Sequence, residues 1–568
     1  MTTDTINDAN NLEQYDVVII GSGPGGSAAA WQLTQNKIKV LILEAGPWYQ
    51  AEKDFTTNQT NWELSDFPDK AEGDAPYTFG KRQSLAKKWQ DLRSWNHITG
   101  LMNASEQRLH YKYHHAIGVG GASLKFSAEA HRMNPKSMKM RTDFGVAADW
   151  PITYQELHPY YEKAEWQLGV SGEKVSPFTQ QPSNLLPAHD MSYASQQLSK
   201  GCKKLGWSWQ ANSLAIPSIA HLGRPNCNYC GQCGRGCFRQ DKGSADNAFV
   251  KPAIASGYCT VITQAKVVRI NSDEQSVDKK LISSVDYIDK QGKKQSVKSK
   301  VVILAAGAIQ SPRLLLLSKS KHSPKGLANE SGQVGKNFME TLFWTSSAIH
   351  PEKLNSFKGI PSDAICWDFN DPNLAKDYIG GFRLTPTTLE ADFAGAVSYA
   401  LRVVPGWGHE HQQKMKQAVG HVLSVGAIGE SLPNKKSYID LAPTVRDQHD
   451  NPVARIHSYL PKMEIKRLSA MAQKCRELLQ ASGVETIFEE YGTYDTFNTT
   501  HVFGTCRMGN DAKTSVVNQY GQSHRWKNLF ITDASVFPSS GGGESPSLTI
   551  SALAMRTADY IQAVLGKT

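Results

Sequence analysis

No run of this 568-residue sequence approaches the roughly eighteen consecutive apolar residues of a membrane-crossing helix. Met1 to Gln14 is polar and no arginine occurs before Arg82, so neither a secretory apolar core nor a twin-arginine signal is present. The expectation is a cytoplasmic protein, or a periplasmic one exported with a partner that carries the signal. No block of five or more like charges occurs, and 62 basic residues nearly balance 53 acidic ones for a net charge of +9. A nucleic-acid surface needs a clustered basic stripe, so no nucleic-acid partner is expected. No internal repeat is visible. With 40% hydrophobic and 20% charged residues, the composition excludes disordered, collagen-like and disulfide-scaffold classes. A chain this long can bury about two cores.

What is present begins as strand, glycine turn and helix. Tyr15 to Ile20 is a short β-branched run ending at glycine, Pro24 to Asn36 reads as a helix, and Ile38 to Leu43 as a second strand. This opens a doubly wound sheet. Residues 47–113 carry Trp48, Trp62, Trp89 and Trp95 in an irregular stretch expected to form a packed lid. A helix is expected after Trp150-Pro151, and short strands at Thr260 to Ile262, Lys266 to Ile270 and Val301 to Ala305. Strand-like segments follow at Ile379 to Leu384, Ala396 to Val404, Val422 to Ala427 and Ser437 to Leu441. Met463 to Ser482 reads as an amphipathic helix, and Lys527 to Leu565 returns to the opening grammar. The predicted fold is α/β. A Rossmann-like dinucleotide domain (15–340, completed by 496–566) is interrupted by an α+β substrate domain (341–495) built on a mixed, largely antiparallel sheet.

Gly21-Ser-Gly23-Pro-Gly-Gly26 follows a strand and opens a helix, the G-x-G-x-x-G context of a dinucleotide site. Pyrophosphate is expected at the helix N-terminus, where free N–H groups and the helix dipole favour anions. Glu44 ends the second strand, and its carboxylate suits ribose hydroxyls. That unit alone does not separate FAD from NAD.

Cys227, Cys230, Cys233 and Cys237 crowd into eleven residues, while the other five of the nine cysteines are scattered. A disulfide framework would spread its pairs, so a metal or cluster site is favoured. The C-x2-C-x2-C-x3-C spacing is that of a ferredoxin-type iron–sulfur loop, 3Fe–4S with three thiolates bound or 4Fe–4S with four. Structural zinc and metal-free reduced thiols stand beside it as alternatives; Phe238 takes the place of the proline that often follows such runs.

Further motifs run the length of the chain: Gly118-Val-Gly120-Gly121-Ala-Ser123, Val302-Ile-Leu-Ala-Ala-Gly307-Ala-Ile-Gln-Ser311-Pro312, Gly332-Gln-Val-Gly335-Lys-Asn337, His501-Val-Phe-Gly504-Thr505, Asn528-Leu-Phe-Ile-Thr-Asp533-Ala534-Ser535 and Pro546-Ser-Leu-Thr549. In order and content they resemble the glucose-methanol-choline (GMC) oxidoreductases. The cysteine run and Asp149-Trp150-Pro151-Ile152 are similar to the flavoprotein subunits of bacterial sugar dehydrogenases.

The resemblance implies FAD, contacted by Gly118, Gly120, Gly121 and Ser123, by the Val267 backbone, and by Asp533 and Ala534. It implies His501 as the base that takes a hydroxyl proton while flavin accepts the hydride. The family's second residue, His or Asn, corresponds to Ser545; serine reaches less far, so Ser545 works through a water or Glu544 contributes its carboxylate. Lys125 stands where some relatives attach flavin through a histidine, which implies noncovalent FAD. The activity implied is oxidation of a CH–OH group of a sugar, glycoside or polyol, with electrons passed to a protein or quinone acceptor. An O2-reducing oxidase is the alternative, and a flavin-bound scaffold a remote one. A small export-carrying subunit and a cytochrome acceptor are the implied partners.

Overall fold

The computed structural model describes residues 15–55, 77–179, 183–273, 280–357, 359–387 and 396–566. Met1 to Gln14, and Trp62 of the expected lid, lie outside the described residues.

The first core forms around five parallel strands in the order Leu529–Ile531, Val301–Leu304, Val17–Ile20, Val40–Leu43, Cys259–Ile262. Val17–Ile20, Val40–Leu43 and Val301–Leu304 are buried at every position, as expected of parallel strands covered on both faces. Their β-branched and leucine side chains leave no polar face to turn outward. The helix Pro24–Thr34 packs against the helix Ser547–Leu565, so the first and last segments of the chain close one layer.

The second core lies under an antiparallel sheet ordered Phe382–Thr385, Val422–Gly429, Leu342–Ile349, Thr486–Gly492, Trp95–Asn96, Gly100–Leu101. Leu468, Met471, Ala472, Cys475, Leu478 and Leu479 recur at three- and four-residue intervals along the helix Lys462–Ala481, which presents them to this sheet. Strand alternation divides the sheet's residues: Trp344 is buried in this core, whereas its neighbour Phe343 faces a large cavity.

Three expectations change. The run 396–404 is not a strand but the helix Ala396–Arg402 with its flank. Tyr399 and Val403, four apart, are buried, while Val397 and Leu401 are exposed, a division with helical period. The strand expected at Ile379 to Leu384 spans only Phe382–Thr385. The segment at Ser437 to Leu441 lies in Tyr438–Arg446, which joins a separate sheet with Pro452–His457 and Tyr77–Phe79. The described part of 47–113 thus supplies strands to both of these sheets.

Candidate active site

One cavity of about 1690 Å³ runs from the glycine loop to His501. Ordinary small-molecule sites occupy roughly 300–1,000 Å³, so this one has room for a dinucleotide and a substrate together. Its near end is shaped by the three glycines. Gly21 has φ +96°, and a Cβ there would lie 2.6 Å from the Ala305 carbonyl oxygen; at Gly26 a Cβ would lie 2.0 Å from the Gly21 oxygen. Gly23 is different: a Cβ would meet no protein atom within 4 Å, because this residue borders the cavity. The helix Pro24–Thr34 begins here with no side-chain cap and no acid in its first turn, leaving its N–H groups for an anion. Glu44, also on the wall, accepts hydrogen bonds from Ser22 N (2.9 Å), Ser22 Oγ (2.6 Å) and Gly46 N (2.9 Å). Burial raises its pKa against these bonds.

Farther in, Gly121 and Ser123 line the cavity, while Gly118 and Gly120 shape the loop behind them. Gly120 has φ +108°, and Ser123 Oγ donates to its carbonyl at 2.6 Å. Val267 borders the cavity on one side and Lys125 on another. Asp533 and Ala534 reach it from the C-terminal segment. Asp533 caps two turns, accepting from Gly307 N (2.9 Å) and Ser311 Oγ (2.5 Å) on one oxygen and from Ser535 N (2.8 Å) on the other. Ten of the eleven expected cofactor residues therefore gather along or just behind one surface, and Gly26 packs helix to strand beneath it.

His501, Ser545 and Glu129 line the same cavity, as do Phe343, Thr385, Thr387, Ile428 and Tyr491. Burial lowers the His501 pKa to about 4; Glu129 opposes the shift and Arg383 adds to it. The imidazole is therefore neutral at pH 7. Ser545 sits in a buried network. Its Oγ is 2.8 Å from Glu129 Oε2, and its N–H donates to His131 Nδ1 at 3.1 Å. His131 Nε2 lies 2.8 Å from Asn212 Oδ1, whose amide donates to Glu129 Oε1 at 3.2 Å. Arg383 donates to Glu129 Oε2 at 2.6 Å and to the Gly543 carbonyl at 2.7 Å. Burial works against the Glu129 charge, but Arg383 and His131 outweigh it and hold its pKa at about 2. Glu544 turns elsewhere: it accepts from Asn134 N and Asn370 Nδ2, both at 3.1 Å, and is not on the cavity wall. The carboxylate beside Ser545 is thus Glu129.

Cys227, Cys230, Cys233 and Cys237 line a second cavity of about 90 Å³. All nine cysteines are free. Among the described residues no three His, Cys, Asp or Glu side chains are arranged to hold a single metal ion. Burial pushes the thiols of Cys227 and Cys233 up to about 12 and that of Cys237 to about 11. Gly231 and Gln232 border both cavities.

Sequence profiles of GMC oxidoreductases match residues 100–342 and 433–554, and a profile of NAD(P)-binding Rossmann-like domains matches 19–48. The chain belongs to the GMC oxidoreductase family. Its relatives include the fructose dehydrogenase large subunit of Gluconobacter japonicus, 27% identical over 97% of this chain and 98% of its own. The 2-methyl-1,2-propanediol dehydrogenase of Mycolicibacterium austroafricanum is 28% identical, covering 97% and 96% respectively. The gluconate 2-dehydrogenase flavoprotein of Pantoea cypripedii is also 28% identical, covering 98% and 94%. Pyridoxine 4-oxidase from Mesorbium loti shares the fold, with a TM-score of 0.61 at 17% identity over 97% of this chain and 99% of that one.

This GMC oxidoreductase is an FAD-dependent enzyme, and the open space at Gly23 and the uncapped helix beside it fit the cofactor. Glu129, His131, Asn212 and Arg383, which surround Ser545, did not stand out in the sequence. A signal existed for two of them. Glu129 and His131 are two apart just past the Gly118 to Ser123 loop, the spacing of neighbours on one face of an extended segment. Arg383 comes from the strand Phe382–Thr385 of the antiparallel sheet and Asn212 directly follows the distant short strand Gln210–Ala211, and only folding joins them.

Proposed function

We propose that this enzyme oxidises a CH–OH group of a sugar, glycoside or polyol and passes the electrons to an acceptor other than O2. The observation that carries the reading is the convergence of a neutral His501 and of Ser545 on the cavity that begins at the dinucleotide loop. The names of the relatives support the substrate class.

Bound FAD supplies the two-electron acceptor for the carbon-bound hydride. The Gly21 to Gly26 loop and the helix N-terminus bind its pyrophosphate, Glu44 its ribose, and the Gly118 to Ser123 loop, Val267, Asp533 and Ala534 the remainder. Lys125 offers no covalent attachment, so FAD is held noncovalently. His501 accepts the hydroxyl proton, for which its neutral state at pH 7 fits it. Ser545 holds the substrate from the adjoining wall. Anaerobic flavin bleaching across fructose, gluconate, 1,2-diols, glycosides and simple alcohols tests this reading; failure of every alcohol to bleach flavin would refute it.

Cys227, Cys230, Cys233 and Cys237 would hold a 3Fe–4S or 4Fe–4S cluster. Their C-x2-C-x2-C-x3-C spacing supports the reading, and the four residues line one cavity of about 90 Å³. Such a cluster would supply one-electron transfer between the flavin cavity, which Gly231 and Gln232 share, and the outside. Relatives named as a large subunit and a flavoprotein support a partner, proposed as a small subunit that carries export to the periplasm and delivers electrons to a cytochrome. An oxidase is the second reading, supported by the 28% identical paromamine 6'-oxidase of Streptomyces fradiae. Peroxide formed in air at the rate of flavin reduction would favour it.

A further inference from the structure

Past Glu44 the cavity continues along the strand Lys266–Ser272. The Ala265 N–H donates to the Glu44 carbonyl at 2.8 Å, and Ala265, Lys266, Val267 and Val268 follow Glu44 on the wall. With pyrophosphate proposed at the Gly21 to Gly26 loop and ribose at Glu44, the portion of FAD that comes next in this direction is its adenine. A second element borders the cavity, one that no sequence motif marked. Gln448, His449 and Asn451 lie at the tip of the hairpin that joins Tyr438–Arg446 to Pro452–His457, and all three are on the wall.

Asp447 ties this tip to the Val267 end. Its Oδ1 accepts from the N–H groups of His449 (2.9 Å) and Asn451 (3.1 Å), which shapes the turn. Its Oδ2 accepts from Arg313 Nη2 at 2.7 Å and pairs with Lys266 Nζ at 3.0 Å, one residue before Val267. Arg313, on the helix Gly307–Leu317, also donates from Nε to the Pro452 carbonyl at 2.8 Å, so it grips both sides of the tip. The Asp447 carboxylate is 3% exposed and the guanidinium 8%, and a pair so buried is screened little by salt. Burial works against the Asp447 charge, but Arg313 and Lys266 outweigh it and hold its pKa well below the usual carboxylate range.

Strand pairing alone does not carry the tip to that position. The ladder runs from Tyr438 opposite His457 to Leu441 opposite Ala454, then resumes only at Arg446 opposite Pro452. Ala442 to Val445 therefore face the single Val453, a bulge that bends the strand and breaks its pairing. Pro443, inside the bulge, has no N–H to give. The body of the hairpin is fixed by Ile439, Ala454 and Ile456, which share one core with Ala308 and Ile309 of the helix. Beyond the bulge, the tip is tied down through Asp447 and the Pro452 carbonyl.

We propose that the 447–451 tip is a clasp on the adenosine half of FAD, with Asp447 the positioning residue that keeps it shut by pairing with Arg313 and Lys266. Opening of this tip sets how fast FAD leaves. The inference rests on the proposed course of FAD along the cavity.

Release of FAD from the holoenzyme, followed by flavin fluorescence after dilution, should be about tenfold or more faster in Asp447→Asn, the loss of one hydrogen bond between charged groups. Asparagine keeps an oxygen for the His449 and Asn451 N–H groups, but its NH2 cannot accept from Arg313 or Lys266. A loosened fold would also speed release, so ADP and FMN are compared as ligands of the deflavinated protein. ADP carries the adenosine and pyrophosphate, FMN the flavin and one phosphate. In Asp447→Asn the ADP dissociation constant should rise about tenfold while that of FMN stays within about twofold. Equal losses for the two ligands, or FAD release no faster than from the unmodified enzyme, overturn the clasp. If Asp447→Asn does not fold, the double variant Gln448→Ala/His449→Ala decides: ADP should weaken and FMN should not, and unchanged ADP binding overturns the clasp. Failure of ADP to compete with FAD for the unmodified protein overturns the placement of the adenosine and the clasp with it. The dehydrogenase reading stands or falls separately, on flavin bleaching by alcohols.

Discussion

Lowering the pH tests whether His501 works as a base from the state its surroundings impose. An unperturbed histidine has a pKa of about 6.5, so at pH 5 only about 3% of it is neutral. With burial lowering the His501 value to about 4, roughly 90% remains neutral at the same pH. The two cases differ about thirtyfold at pH 5 in the fraction able to accept a proton. The sign follows from charge: burial penalises imidazolium, Arg383 repels it, and Glu129 favours it too weakly to win. Single-turnover flavin reduction, followed anaerobically at subsaturating alcohol from pH 4 to pH 8, should therefore stay nearly level down to about pH 5 and fall only near pH 4. His501→Ala should retain FAD but reduce it at least about 10²-fold more slowly, the low end for general-base catalysis. An acid limb near pH 6.5 in the wild-type enzyme would refute the argument that the site holds this histidine neutral. Wild-type rates in His501→Ala would remove it from the chemistry.

Other outcomes follow from the same geometry. Acid precipitation should release free FAD into the supernatant; yellow colour in the washed pellet would show a covalent bond. Protein purified without oxygen should contain about three or four irons and matching acid-labile sulfide per FAD, with iron content falling in Cys230→Ser. Stoichiometric zinc would rule the cluster out. Gly23→Ala should fold with a near-normal melting temperature yet lose FAD affinity, since its Cβ would meet no protein atom within 4 Å and would enter the cavity. Gly26→Ala should destabilise the chain itself by several kcal/mol, because its Cβ would lie 2.0 Å from the Gly21 oxygen. Glu430 is fully buried with neither carboxylate oxygen partnered, and burial raises its pKa to about 8. A raised carboxylate pKa stabilises the fold at low pH and loses that contribution as pH climbs through 8. Glu430→Gln should therefore raise the chemical-denaturation stability by about 2 kcal/mol at pH 8 and much less at pH 5. An equal effect at both pH values would contradict the shift.

The strands of the first sheet were legible because each is a short, uniformly apolar run bounded by turn residues, and a doubly buried parallel strand needs nothing else. The helix Lys462–Ala481 was legible for the complementary reason, that its apolar residues recur with the period of one face. The 396–404 run failed because apolar residues at 397, 399, 401 and 403 mimic alternation. Which of them are buried depends on what the segment packs against, and Tyr399 and Val403 pack into a small core with Val422 and Phe488.

The dinucleotide loop is decided locally. The turn at Gly21, the approach at Gly26 and the opening at Gly23 depend on a few bonds of backbone, so the sequence alone determined the shape of the loop proposed to bind the cofactor. His501 and Ser545 were proposed from motifs of the same local kind. What Ser545 can do was decided elsewhere. Its proton is claimed by Glu129, whose charge is kept by Arg383 from a strand 254 residues away in sequence. Glu544, its neighbour in sequence, is drawn off by Asn134 and Asn370. A hydroxyl's direction and a buried carboxylate's charge are set by whichever groups the packed fold brings within about 3 Å, and no spacing along the chain records that distance.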